Sequence, residues 1–203
     1  ADTGIWVAKK RYAMNVWDNE GVRYKEPKLK VMGLEIVRSS TPAPVRVWLK
    51  EAVALCLARD EKDLQDYVQE TWEKFKDLPP EDIAFPRGCN NIDRYRSRET
   101  VYTKGTPMHV RGALVYNHLV RTQKLENKYQ IIQDGDKIKF IYLKEPNHVR
   151  ENTVAMNGLM PKEFDLHRYI DYDTQFQKAF IDPLNTIVES LDWNTKPVAT
   201  LEG

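Results

Sequence analysis

The chain has 203 residues, enough for one domain with an appendage, and its 41% hydrophobic and 30% charged content describes a soluble globular protein. It contains no apolar run near the roughly 18 residues of a membrane helix and no basic-then-apolar leader, which excludes a membrane partner and implies a cytoplasmic setting. Cys56 and Cys89 match neither a zinc ligand set nor a disulfide framework and read as free thiols, while the net charge of +1 taken alone argues against a nucleic-acid partner.

In chain order, residues 5–18 are rich in β-branched and aromatic side chains and predict a first strand. Asn19-Glu20-Gly21 supplies turn chemistry, Val22 and Tyr24 begin a return strand, and residues 28–38 make a third strand or two broken at Gly33. Ser39-Ser40-Thr41-Pro42 then reads as a helix start, with a hydroxyl to cap and proline at the first helical position. Val45, Trp48, Leu49, Ala52, Val53 and Cys56 form one helical face, and Leu64, Tyr67, Val68, Thr71, Trp72 and Phe75 repeat the spacing before Leu78-Pro79-Pro80.

After a weakly patterned stretch with a short helix near Cys89, helical periodicity returns over Val110–Val120. Tyr129–Lys144 alternates around Asp134-Gly135 and predicts a hairpin. From Pro161 onward Leu166, Tyr169, Ile170, Asp173, Phe176 and Phe180 lie on a helical stripe. A further helical piece follows Pro183 with Leu184, Ile187, Val188 and Leu191. The fold class expected is α+β: a mostly helical domain over residues 39–203, a short antiparallel β appendage over residues 1–38, and an internal β-hairpin.

The charge is unevenly spread. Residues 1–50 carry a balance of +5, residues 51–86 of −6, residues 87–150 of +7 and residues 151–203 of −5. A positive face can therefore coexist with a neutral whole, and only charge within about a Debye length, roughly 10 Å, of a phosphate matters to its binding. The alternative is ordinary solvated charge runs. On the expected first strand, alternation puts Lys10 and Tyr12 on one face and Lys9 and Arg11 on the other. A lysine beside a tyrosine on a rigid strand can enter a minor groove or hold a phosphate, although a surface strand with solvated charges gives the same pattern.

The succession of pieces is more specific than any one of them. Lys9-Lys10-Arg11-Tyr12 is followed by Lys30-Val31-Met32-Gly33-Leu34-Glu35 and Arg38-Ser39-Ser40-Thr41-Pro42. Asn90-Asn91-Ile92, the run His109 to Asn117 and Phe180-Ile181-Asp182-Pro183-Leu184 come after. This order resembles the C-terminal portion of family B replicative DNA polymerases of large contractile-tailed phages, across nearly the whole chain.

The resemblance implies that residues 1–38 are C-terminal palm strands and residues 39–203 a thumb. Lys10 would then contact the minor-groove edge of the primer terminus and Tyr12 the neighbouring sugar or phosphate, with Lys9 and Arg11 holding the template or tethering the strand. Lys30 and Arg38 would lie on the path from palm to thumb, with Ser39, Ser40 and Thr41 near the primer backbone. Asn90, Asn91, His109 and Arg111 would face duplex phosphates. Ser39 to Thr41 read equally as a helix cap, and His109 equally as a structural histidine.

Only eight residues precede Lys9, so the family's catalytic aspartates, its exonuclease carboxylates and its fingers helices are not expected in this sequence. The resemblance thus implies a fragment or split subunit of a DNA-directed DNA polymerase, inactive by itself, acting in the host cytoplasm. Its partners would be the primer–template duplex and the remaining polymerase polypeptide. It would carry no catalytic residue, metal ligand or cofactor of its own, and Mg2+ would belong to the complete enzyme. The sequence ends Ala199-Thr200-Leu201-Glu202-Gly203 without the terminal aromatic peptide by which such polymerases dock on a sliding clamp, so clamp binding is not implied. Asp171-Tyr172-Asp173-Thr174 imitates a catalytic aspartate turn but sits in a helical pattern. The competing readings are a stand-alone non-sequence-specific DNA-binding protein, a metal enzyme built on Asp171 and Asp173, and a protein-binding helical module.

Overall fold

A computed structural model describes the backbone of residues 4–8, 11–19 and 22–32, and both backbone and side chains of residues 38–58 and 61–189. The α+β class holds. The described chain divides into two compact units, residues 1–77 with 176–203, and residues 78–175.

The first unit opens with an antiparallel sheet of β1 (Gly4–Ala8), β2 (Arg11–Asn19) and β3 (Val22–Met32) in that order. The single strand expected over residues 5–18 is in fact two. Ala8 pairs with Arg11 and Trp6 with Tyr12, so the segment folds back and its two halves satisfy each other's backbone groups. The expected alternation of Lys10 with Tyr12 along one strand therefore does not apply, and Lys9 and Lys10 themselves lie outside the described residues. The return strand and the start of the third strand are one element, β3. Pro27, which lacks an amide proton, falls where pairing with β2 is interrupted, between Val16↔Lys28 and Asp18↔Arg23. Gly33 to Val37, including the expected break, are outside the described residues.

The helical pair follows as α1 (Ala43–Ala58) and α2 (Glu61–Phe75). The Arg46 amide donates to the Pro42 carbonyl at 3.1 Å, which makes Pro42 the residue before the helix and not its first member. Val45, Leu49, Ala52, Val53 and Cys56 are fully buried on α1, and Leu64, Val68 and Phe75 are buried on α2, as the apolar spacing requires. In the same unit, a π-helical turn (Gln177–Ile181) leads into α6 (Asp182–Val188). The Asp182 amide reaches back five residues to the Gln177 carbonyl, and Pro183 follows in the first turn of α6. Trp72, Phe75, Phe176 and Phe180 form an aromatic cluster with Phe176 at its centre, 5.1 Å from Phe75 and Phe180 and 5.2 Å from Trp72. Within this unit α1 lies beside β2 and α6 beside β1. Leu191 is outside the described residues.

The second unit begins with a short helix, α3 (Pro80–Ile83). Its sheet has the order β4 (Phe85–Gly88), β5 (Lys137–Tyr142) and β6 (Thr153–Met156), all antiparallel. Asp134-Gly135 does turn the chain, with Gly135 at φ 82°, but its flanks do not pair. Residues 129–136 instead fold over Cys89, whose amide and carbonyl bond Asp136 and Gly135 at 2.8 and 2.6 Å, and β5 pairs with β4 and β6. Alternating apolar residues mark a strand without naming its partner. The helix expected near Cys89 is a single 3-10 turn, Ile92–Tyr95.

Helix α4 (Met108–Thr122) packs on this sheet through β6. Gly112 permits the close approach, since a side chain there would meet the Ala155 amide nitrogen at 3.0 Å and the Val154 carbonyl carbon at 3.1 Å. The stripe expected from Pro161 onward is interrupted. Leu166 to Ile170 form a 3-10 turn and a bridge to Leu143, and regular helix starts only with α5 (Tyr172–Phe176). Bonds from the Lys144 amide to the Tyr169 carbonyl and from the Asp171 amide to the Tyr142 carbonyl hold that segment to the sheet, so tertiary pairing overrides local periodicity.

Candidate nucleic-acid interface

The residues singled out from the sequence fall into separate groups. In the N-terminal sheet, Tyr12 pairs with Met32 and Met14 with Lys30. Strand pleating therefore gives Tyr12, Lys30 and Lys28 register positions on one face, with Tyr12 and Lys30 as diagonal neighbours, while Arg11 alternates to the other. At the entrance to α1, Arg38 and Ser39 are exposed, Ser40 is half-buried and Thr41 is buried, with the Thr41 amide bonded to the Arg38 carbonyl at 3.3 Å.

In the second unit Asn90 and Asn91 are exposed, and Asn91 adopts the left-handed conformation at φ 62°, where asparagine is among the better-tolerated residues. The Asp134 carboxylate accepts the Ile92 amide at 3.1 Å and fixes this corner. His109 and Arg111 are two positions apart on α4 and so point in different directions. The His109 ring lies 6.4 Å from Phe140. Burial, and then the nearby Arg87 charge, lower its pKa below the usual imidazole value. The Arg87 guanidinium itself lies over the Phe85 and Phe140 rings at 5.7 and 5.5 Å.

Arg111 is held differently. Its guanidinium lies 4.8 Å over the Tyr102 ring and donates to Asn152 Oδ1 at 3.3 Å. Tyr102 in turn donates to Glu151 at 2.7 Å. Burial raises the Glu151 carboxyl above the ordinary carboxylate range, and burial together with the Glu151 bond pushes the Tyr102 phenol up to about 12. Arg111 Nε is buried without a hydrogen-bond partner among the described residues. Both stacked arginines are thus permanent, pre-oriented cations, the form suited to anion contacts.

Sequence reasoning missed Arg87, Tyr102, Glu151 and Asn152. Tyr102 and Asn152 meet Arg111 of α4, Glu151 meets Tyr102, and Arg87 meets Phe140, contacts that no local spacing rule connects. The Asp171-Tyr172-Asp173-Thr174 segment is a helix cap. Asp171 Oδ1 accepts the Thr174 amide at 3.1 Å and Oδ2 accepts the Thr174 hydroxyl at 2.8 Å. Among the described residues no group of three or more His, Cys, Asp or Glu side chains is placed to hold a metal ion, and no helix is long and apolar enough to cross a membrane.

No protein-family model matches the chain. It is 35% identical over 203 residues to the DNA-directed DNA polymerase of Enterobacteria phage T4, an alignment covering 98% of this chain and 22% of that protein. It is 37% identical over 199 residues to the DNA-directed DNA polymerase of Escherichia phage RB69, covering 95% of this chain and 22% of that protein. The chain spans about a fifth of the length of these curated relatives. Similarity at this level along nearly its whole length makes the chain a homologue of a segment of the phage DNA-directed DNA polymerases.

Proposed function

We propose that the chain is the C-terminal part of a family B DNA polymerase, palm strands over residues 1–38 and thumb over residues 39–203, and that it grips the primer–template duplex behind the active site. The observation that carries this reading is the 35–37% identity to two phage DNA polymerases over 95–98% of the chain. The register of the N-terminal sheet supports it by giving Tyr12 and Lys30 positions on one face. The stacked Arg87 and Arg111 support it by offering fixed cations in the segment of balance +7.

The grip acts on phosphates, sugars and the minor-groove edge, so it is indifferent to base sequence and weakens with salt. Nucleotidyl transfer belongs to the rest of the polymerase polypeptide, with its Mg2+. Lys10 and Tyr12 serve the primer strand, and Lys9, Arg11, Lys30, Arg38 to Thr41, Asn90, Asn91, His109 and Arg111 supply the remaining holds on the duplex.

The test is fluorescence anisotropy of the 203-residue chain with a primer–template duplex and with single strand across a salt series. Lys10→Ala and Tyr12→Ala are expected to weaken duplex binding equally on unrelated sequences. Each phosphate no longer neutralised should lower the magnitude of the salt slope by about 0.9. Strong preference for one base sequence, or variants indistinguishable from the parent, would sink the reading.

A further inference from the structure

The sequence motifs leave unused a cleft of about 160 Å³ in the second unit, lined by Arg96, Ser97, Thr100, Val101, Leu114, His118 and Arg121. One wall is a helical stripe: Leu114, His118 and Arg121 stand at i, i+4 and i+7 of α4 and share a face. The other wall is the loop of residues 96–101, closed at its base by the Arg96↔Tyr102 bridge and by the Thr103 amide bonded to the Tyr95 carbonyl at 2.9 Å. The bond from Tyr102 to Glu151 ties that base to the rest of the unit. The cleft is therefore formed before any ligand arrives.

Its chemistry is that of an anion site. Arg121 makes no hydrogen bond or ion pair with its guanidinium among the described residues. Arg96 uses only Nε, which meets Asp93 Oδ1 at 3.0 Å, and keeps its two terminal amino groups for another acceptor. Ser97 Oγ accepts the Glu99 and Thr100 amides at 3.3 and 3.2 Å, which leaves its own proton to donate outward. The acidic groups in the neighbourhood are engaged or at the rim: Asp93 pairs with Arg96, Glu151 holds Tyr102, and Glu99 is exposed. Two arginines, a hydroxyl and an imidazole around one cleft match a phosphate group.

We propose that this cleft binds a backbone phosphate of a polynucleotide, a further point of attachment in addition to the residues already assigned to the duplex. The proposal rests on the duplex-gripping reading and adds to it a phosphate site that none of the sequence motifs contains. The polynucleotide, in preference to a free phosphate, is favoured by the cleft's place within the segment of balance +7, which also carries the exposed Arg94, Arg98, Lys104 and Lys124.

The experiment uses the full chain and compares the parent, Arg96→Gln/Arg121→Gln and Lys10→Ala, each by duplex anisotropy over a salt series and by thermal melting. The double variant is expected to melt with the parent, to bind duplex several-fold more weakly, and to lower the magnitude of the salt slope by about 0.9 for each phosphate it no longer neutralises. A double variant with the parent's slope overturns the cleft, and if Lys10→Ala still weakens binding the sheet attachment stands without it. The converse result, weakening by the double variant alone, leaves the cleft in place and removes the sheet attachment. In a second arm inorganic phosphate is titrated while the His118 ring resonance is followed at constant ionic strength. Tight saturation by inorganic phosphate, with duplex binding unaltered in the double variant, assigns the cleft to a free phosphate and overturns the polynucleotide. A parent chain that binds no duplex at low salt also overturns it.

Discussion

Asn117 holds the peptide group of Ile132 at both ends: its Nδ2 donates to the Ile132 carbonyl at 2.9 Å and its Oδ1 accepts the Ile132 amide at 2.8 Å. Both residues are buried, so this side-chain amide replaces the strand neighbour that residues 129–136 lack. Asn117→Ala is expected to destabilise the chain by about 2–5 kcal/mol, because it orphans a buried donor and a buried acceptor together. Urea unfolding of the purified variant measures it. A change below about 0.5 kcal/mol would mean that water or a rearranged loop satisfies Ile132 instead.

Asp171 and Asp173 provide a matched pair two residues apart. Asp171→Ala removes the cap of α5 and is expected to lower stability by about 0.5–2 kcal/mol, whereas Asp173 is exposed and Asp173→Ala should stay within about 0.5 kcal/mol. Thermal melting of the two variants side by side decides it. Equal effects would contradict a capping role, and metal-dependent melting abolished in both would revive the metal-site reading.

His109 makes stability depend on pH. Burial and the Arg87 charge depress its pKa in the folded chain relative to the unfolded value of about 6.5, so the folded state favours the neutral ring. Its contribution is complete above the unfolded pKa and is lost as pH falls through and below it. Urea midpoints should therefore drop between pH 7.5 and pH 5, and His109→Gln should flatten that part of the dependence. A neutral ring also adds no charge toward phosphates at pH 7, so the same variant should leave the salt slope of duplex binding unchanged.

Both thiols are buried and free. Burial pushes Cys56 up to about 12, and burial with the Asp134 and Asp136 charges pushes Cys89 up to about 11. Neither is a thiolate at pH 8, and neither is reached by solvent. Ellman's reagent should detect no thiol in the native chain and two after denaturation. A fast-reacting equivalent in the native protein would show that one of the two helices or corners opens readily.

The sequence by itself determined the helices that carry their own signal and the relatives of the chain. In α1, α2 and α4 the apolar residues recur with the helical period, so each helix names its buried face whatever it packs against. The order of motifs from Lys9 to Leu184 pointed to DNA polymerases of phages, and the similarity along nearly the whole chain bears that out. Tertiary structure alone decided which strands pair. An alternating segment fits any partner, so the division of residues 5–18 into β1 and β2 and the pairing of β5 with β4 and β6 follow from which backbone groups meet. It also decided which polar residues serve the fold. Asn117, Gly112 and Asp171 look functional in a motif, yet their surroundings show an amide clamp, a close helix–strand approach and a helix cap. Arg96 and Arg121 carry no signal as isolated arginines, because the cleft between them exists only once the loop of residues 96–101 folds beside α4.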